Sequence, residues 1–109
     1  MSAVDPIALK PGLRLRSRVC SSELMVIQAP PTPMAVTCGG APLVPLGAPG
    51  PAPGAAPAPD AAGGTQIGKR YVNAAGTLEL LCTKPGAGTL EADGEPLVLK
   101  AARSLPSSD

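Results

Sequence analysis

Apolar residues along this chain come in short runs, each bounded within a few positions by glycine or proline. Leu13, Leu15, Ser17 and Val19 alternate with Arg14, Arg16, Arg18 and Cys20, the period-two pattern of a strand with one buried and one wet face. Before them, Pro11-Gly12 suits the centre of a type II turn. Residues 23–29 (ELMVIQA) are apolar on both faces and predict a central strand. Residues 34–38 predict a third strand, ended by Gly39-Gly40. Past residue 65 the style repeats. Residues 69–73 and 77–83 read as strands, the second with Leu78, Leu80 and Cys82 on one face. Residues 89–92 and 95–99 flank Asp93-Gly94, a preferred pair for a type I′ hairpin, which sets Leu90 opposite Leu97 on the core side. The pattern predicts an all-β fold: a single small domain of about six short antiparallel strands, arranged as a partly open barrel or a sandwich.

Composition sharpens this picture. Fifteen prolines and thirteen glycines in 109 residues leave few stretches able to run helical for three turns. Tyr71 is the only aromatic residue, so the core lacks the large buried areas that aromatic rings bring. From 47 to 64 every residue except Asp60 is Ala, Pro or Gly, too little side chain to offset the entropy of ordering. That segment is expected to be a disordered linker between strands at 9–46 and strands at 65–103, with a polar tail at 104–109. Each half sits near the size below which a chain needs a metal, a disulfide or a partner to fold. Both halves are therefore expected to build one domain, with the linker looping out. The PxxP match Pro42-Leu43-Val44-Pro45 is expected from composition alone.

Charge narrows the function only slightly. Nine basic residues against eight acidic ones give a net charge of +1, too weak an imbalance to imply a polyanion partner. Arg14, Arg16 and Arg18 on one strand face would lie about 7 Å apart and would form either a solvated face or a contact for another protein. Nucleic acid is not expected, because readers of single strands add aromatic platforms that this chain lacks. The start of the chain has no basic, apolar secretory pattern and no apolar run approaches membrane length. A cytoplasmic location is expected, and three cysteines, an odd number, fit a reducing compartment better than a disulfide framework.

Candidate chemistry is sparse. The chain has no histidine, which removes the commonest general base and a frequent metal ligand. Glu91, Asp93 and Glu95 surround the expected hairpin tip, where acids keep a turn soluble. No enzyme activity is expected. Cys20, Cys38 and Cys82 remain, as inert core residues, as metal ligands or as a redox pair.

Cys20-Ser21-Ser22-Glu23 followed by Cys38-Gly39-Gly40-Ala41-Pro42-Leu43 resembles the cysteine knuckles of desulforedoxin and rubredoxin-type iron proteins. Those carry Cys-x-x-Cys, a hydrophobic strand, a Gly/Pro turn and Cys-Cys-Gly-x-Pro-Met. The likeness spans residues 12–45 and departs at two ligand positions, where Glu23 and Gly39 stand in place of cysteine. It implies Zn or Fe binding carried by Cys20 and Cys38, with Cys82 and Glu23 as the further ligands available. The stretch Leu9-Lys10-Pro11-Gly12, with Arg14, Leu15, Val19, Cys20, Glu23, Val26 and Cys38-Gly39-Gly40, also resembles a group of small bacterial proteins of no assigned activity. The expectation is a non-catalytic accessory or protein-interaction β module without a cofactor. The alternative is a reduced rubredoxin-like metal protein.

Overall fold

In the computed structural model, residues 6–100 are described; the expected tail at 104–109 and residues 101–103 lie outside them. Glycine and proline cut the chain into strands of two to six residues. The N-terminal half supplies β1 (Arg14–Arg16), β2 (Glu23–Gln28), β3 (Val36–Cys38), β4 (Ala41–Pro42) and β5 (Val44–Pro45). The C-terminal half supplies β6 (Arg70–Val72), β7 (Glu79–Lys84), β8 (Leu90–Ala92), β9 (Glu95–Pro96) and β10 (Val98–Leu99). They form a six-stranded sheet, β10-β6-β7-β2-β1-β5, and a four-stranded sheet, β4-β3-β8-β9, every pairing antiparallel. The all-β class stands, as two sheets without barrel closure.

Among the described residues the strands number ten and not about six, because residues 41–45 add two short strands beyond the predicted ones and the predicted 95–99 strand divides in two. At both places the chain changes sheets at a buried leucine. Leu43 separates β4 from β5 and Leu97 separates β9 from β10. Each donates its N–H across the preceding hairpin, Leu43 to the Val36 carbonyl and Leu97 to the Leu90 carbonyl. Their side chains point into the core that the sheets share. Leu15, Leu24, Val26 and Leu80 of the large sheet meet Val36, Cys38, Leu90 and Ala92 of the small one. With its central leucine buried, Pro42–Pro45 is part of this corner and not a free polyproline ligand.

The halves repeat one another. Gly12, Arg14, Ser17, Glu23 and Leu24 correspond to Gly68, Arg70, Asn73, Glu79 and Leu80. Pro42-Leu43-Val44 corresponds to Pro96-Leu97-Val98. Hydrogen bonds follow the same correspondence. Gly12 N–H bonds Val26 O as Gly68 N–H bonds Cys82 O; Gly39 N–H bonds Thr89 O as Asp93 N–H bonds Ala35 O. The central pairings are self-complementary, since Leu24 faces Cys82 and Val26 faces Leu80. The fold is therefore two copies of one five-strand unit about a pseudo-two-fold axis, the isologous arrangement of a symmetric dimer within one chain. Each half completes the other's sheets.

The segment at 47–64 leaves the domain and returns. Residues 51–56 are exposed, whereas both ends are tied down. At the near end Arg16 donates to the Leu46 and Ala48 carbonyls. At the far end Ala58 N–H donates to Gly39 O, a 3-10 turn spans Pro59–Ala61, and Ala61 is buried with its carbonyl accepting Thr89 N–H. Among the described residues no helix is long and apolar enough to cross a membrane.

Candidate functional site

Where the pseudo-symmetry breaks, the thiols gather. Cys20, Cys38 and Cys82 correspond to Gly76, Ala92 and Val26, so nothing in the repeated framework calls for sulfur at these places. Cys20 lies in the turn between β1 and β2, and Cys38 ends β3 in the other sheet. Their Sγ atoms are 3.7 Å apart. All three cysteines are free thiols. Cys38 and Cys82 are buried, whereas Cys20 is part-exposed.

Local sequence builds the Cys20 turn. Ser17 is fully buried at the end of β1, and its hydroxyl accepts the N–H groups of Val19 and Cys20 at 3.0 and 3.1 Å. This side-chain turn reverses the chain into β2. It also brings the Ser17 and Ser22 hydroxyls each to 3.2 Å from Cys20 Sγ. Ser22 Oγ lies 2.7 Å from Thr65 Oγ1, which accepts Gly86 N–H at 3.0 Å. With the Gly86 amide donating to Thr65, Thr65 can donate to Ser22 and Ser22 to the sulfur, so that each hydroxyl uses its single proton in one direction.

Partial burial alone would raise the Cys20 thiol. Hydrogen bonds from the Ser17 and Ser22 hydroxyls and from the Ser22 and Gly88 amides outweigh it and bring the group down to about 7. Cys38 moves the opposite way: burial, and the negative charge next door when Cys20 ionises, push it up to about 12. The pair holds one readily formed thiolate beside one firmly protonated thiol.

The loop after β7 closes over the pair. Ser21 Oγ fixes it by donating to Pro85 O at 2.6 Å. A Cβ on Gly86 would sit 2.9 Å from Cys20 Sγ, and one on Gly88 would sit 2.8 Å from Cys38 Sγ. Only glycine permits this approach of backbone to sulfur. Val19 and Pro57 pack where a Cβ on Gly39, next to Cys38 in the chain, would point, so the returning end of the 47–64 segment borders the site.

The other sequence candidates stand outside the sulfur pair. Cys82 borders the same network through the Thr65 hydroxyl, but its Sγ donates to the Lys84 carbonyl, 3.2 Å away, and burial, with the neighbouring Cys20 charge, raises its thiol. The Glu23 carboxylate faces Arg16 at 4.0 Å and Lys84 at 3.9 Å. Among the described residues no group of three or more Cys, Asp or Glu is placed to hold a metal ion. The arginines do not form one row. β1 ends at Arg16, Arg18 stands in the turn beyond it, and Arg16 is half-covered by the 46–50 loop. Arg14 and Arg18 stay exposed.

Ser17, Ser22, Thr65, Gly86 and Gly88 are the site residues that the strand pattern did not single out. Aligning the halves would have pointed to the cysteines as departures from the repeat, but only the fold brings Thr65 and Gly86 to them. Comparison with known proteins leaves the site to its own geometry: no family model, no curated protein and no solved structure matches this chain.

Proposed function

We propose that this chain is a non-catalytic accessory module whose working part is the Cys20–Cys38 dithiol. It would open and close as a disulfide and report that state to a protein partner. The observation that carries the reading is the 3.7 Å approach of two free sulfurs from different sheets. Reaching a disulfide bond length of about 2.05 Å takes a sulfur movement of about 1.6 Å, within reach of side-chain rotation in the part-exposed turn. In a reducing compartment such a pair rests as the dithiol and closes transiently. Arg18, exposed in the same turn as Cys20, gives a partner a charged contact at the site.

Equilibration of the full chain in buffers of graded dithiol to disulfide ratio tests this. The expected result is one two-electron transition, with Cys20 and Cys38 joined in the oxidised peptide map and Cys82 still free. Absence of a bond at every ratio, or a bond to Cys82, would refute the reading. The metal alternative needs ligands beyond these two sulfurs. Stoichiometric Zn or Fe in the purified protein, released with loss of stability by a chelator, would replace the redox reading.

A further inference from the structure

We infer that the oxidant this site is built for is a small hydroperoxide, attacked by Cys20 and resolved by Cys38. This rests on the dithiol reading above and adds the class of molecule that closes the pair. Three observations lead there. Cys20 is the one part-exposed cysteine, since Cys38 and Cys82 are at most 1% exposed. The Ser17 and Ser22 hydroxyls lie 3.2 Å from its sulfur, which donates to them as a thiol, and they turn to donate to it, with the Ser22 and Gly88 amides, once it is a thiolate. The loop at Gly86 and Gly88 lies so close that a methyl group at either position would collide with a sulfur. Thiol–disulfide exchange with a bulky disulfide requires three sulfurs nearly in line, so this crowding slows that approach while leaving its equilibrium unchanged. A two-oxygen molecule needs far less room.

The step balances without a metal or cofactor. The Cys20 thiolate attacks the terminal peroxide oxygen, so that an S–O bond forms as the O–O bond breaks. Two electrons pass from sulfur to peroxide. The leaving alkoxide, or hydroxide from hydrogen peroxide, takes a proton from water and departs as alcohol or water. Cys38 then attacks the sulfenic sulfur; the S–S bond forms, the S–O bond breaks, and the Cys38 thiol proton leaves with the hydroxide as water. A dithiol reductant restores both thiols.

The reduced full chain, treated with equimolar hydrogen peroxide and followed by intact mass and peptide mapping, tests the assignment. Wild type should lose two hydrogens and join Cys20 to Cys38. Cys38→Ser should instead retain one oxygen at Cys20, trapped by a 1,3-dicarbonyl reagent. Cys38→Ala provides the same reading if the buried serine impairs folding. Closure by diamide or oxidised glutathione but not by hydrogen peroxide would overturn the hydroperoxide assignment and leave the dithiol standing. Failure of every oxidant to close the pair would remove both. Oxygen retained at Cys20 in wild type, without a disulfide, would overturn the resolving role of Cys38.

Discussion

At Cys20 the contest between burial and hydrogen bonding is settled by donors that three separate stretches of chain supply. Ser17 and Ser22 flank it in sequence, while the Thr65–Gly86 link and the Gly88 amide come from the other half. The rate of iodoacetamide alkylation at Cys20 should rise with pH about a midpoint near 7. Replacing Ser22 by Ala should move that midpoint up by about one pH unit. A wild-type midpoint near the ordinary thiol value of 9.0 would contradict the hydrogen-bonding argument. The shift also links pH to stability. Between about 7 and the ordinary 9.0 the folded chain binds fewer protons at Cys20 than the unfolded chain does, so this group adds stability as pH rises through that window. Cys38 acts oppositely: held at about 12, it withdraws stability as pH climbs beyond 9.0. The thiols themselves were visible in the sequence, and so was the nearness of Cys20 to Ser17 and Ser22. The environment that sorts one thiol from the other was not, because Thr65, Gly86 and Gly88 lie more than forty residues from Cys20 in the chain.

Elements with local causes were legible from the sequence. Asp93-Gly94 adopts positive φ at both positions, as a type I′ turn requires, and Leu90 and Leu97 are both buried. Gly12 has φ +90 with Leu13 N–H bonded to Lys10 O, consistent with the turn expected at Pro11-Gly12. The alternation at 13–19 identified β1, but its arginines diverge because the strand ends where Ser17 begins to turn the chain. Splitting of the predicted 95–99 strand at Leu97 could not be read from periodicity, since a buried leucine fits a straight strand equally well.

One element carries charge into the interior. Glu79, which opens β7, is 5% exposed and is met by Lys100 at 2.9 Å and Arg70 at 3.1 Å. The Lys100 hydrogen bond leads in holding its carboxyl below the usual range. Changing Glu79→Gln should cost about 2 kcal/mol in urea unfolding, the scale of hydrogen bonds to a charged group. A loss below about 0.5 kcal/mol would place the ion pairs with ordinary surface pairs. Wild-type stability from Glu79 is present above the ordinary carboxyl range and is lost as pH falls through its lowered pKa; the glutamine variant should not show that loss.

For the whole molecule, the duplicated framework explains why neither half suffices alone. β2 pairs with β7 and β3 with β8, so separating the halves would expose the middle of both sheets. The linker composition was legible at once, but its return to Gly39 and Thr89 was not, because those attachments use backbone groups that any residue could supply. The repeat was also written in the chain, in Pro42-Leu43-Val44 and Pro96-Leu97-Val98, though with side chains so altered that the hydrogen-bond correspondence shows it best. Against that symmetric frame the paired sulfurs belong wholly to the N-terminal half.

The Cys20–Cys38 pairing and the shared domain are tested together by the masses of the fragments after the oxidised, folded chain is cut at a protease site introduced within 51–56 and denatured without reductant. Two fragments should travel together while folded and separate on denaturation, the N-terminal one lighter by two hydrogens. Fragments that remain covalently joined would place Cys82 in the disulfide and contradict the Cys20–Cys38 pairing; fragments that part while still in native buffer would contradict the shared domain.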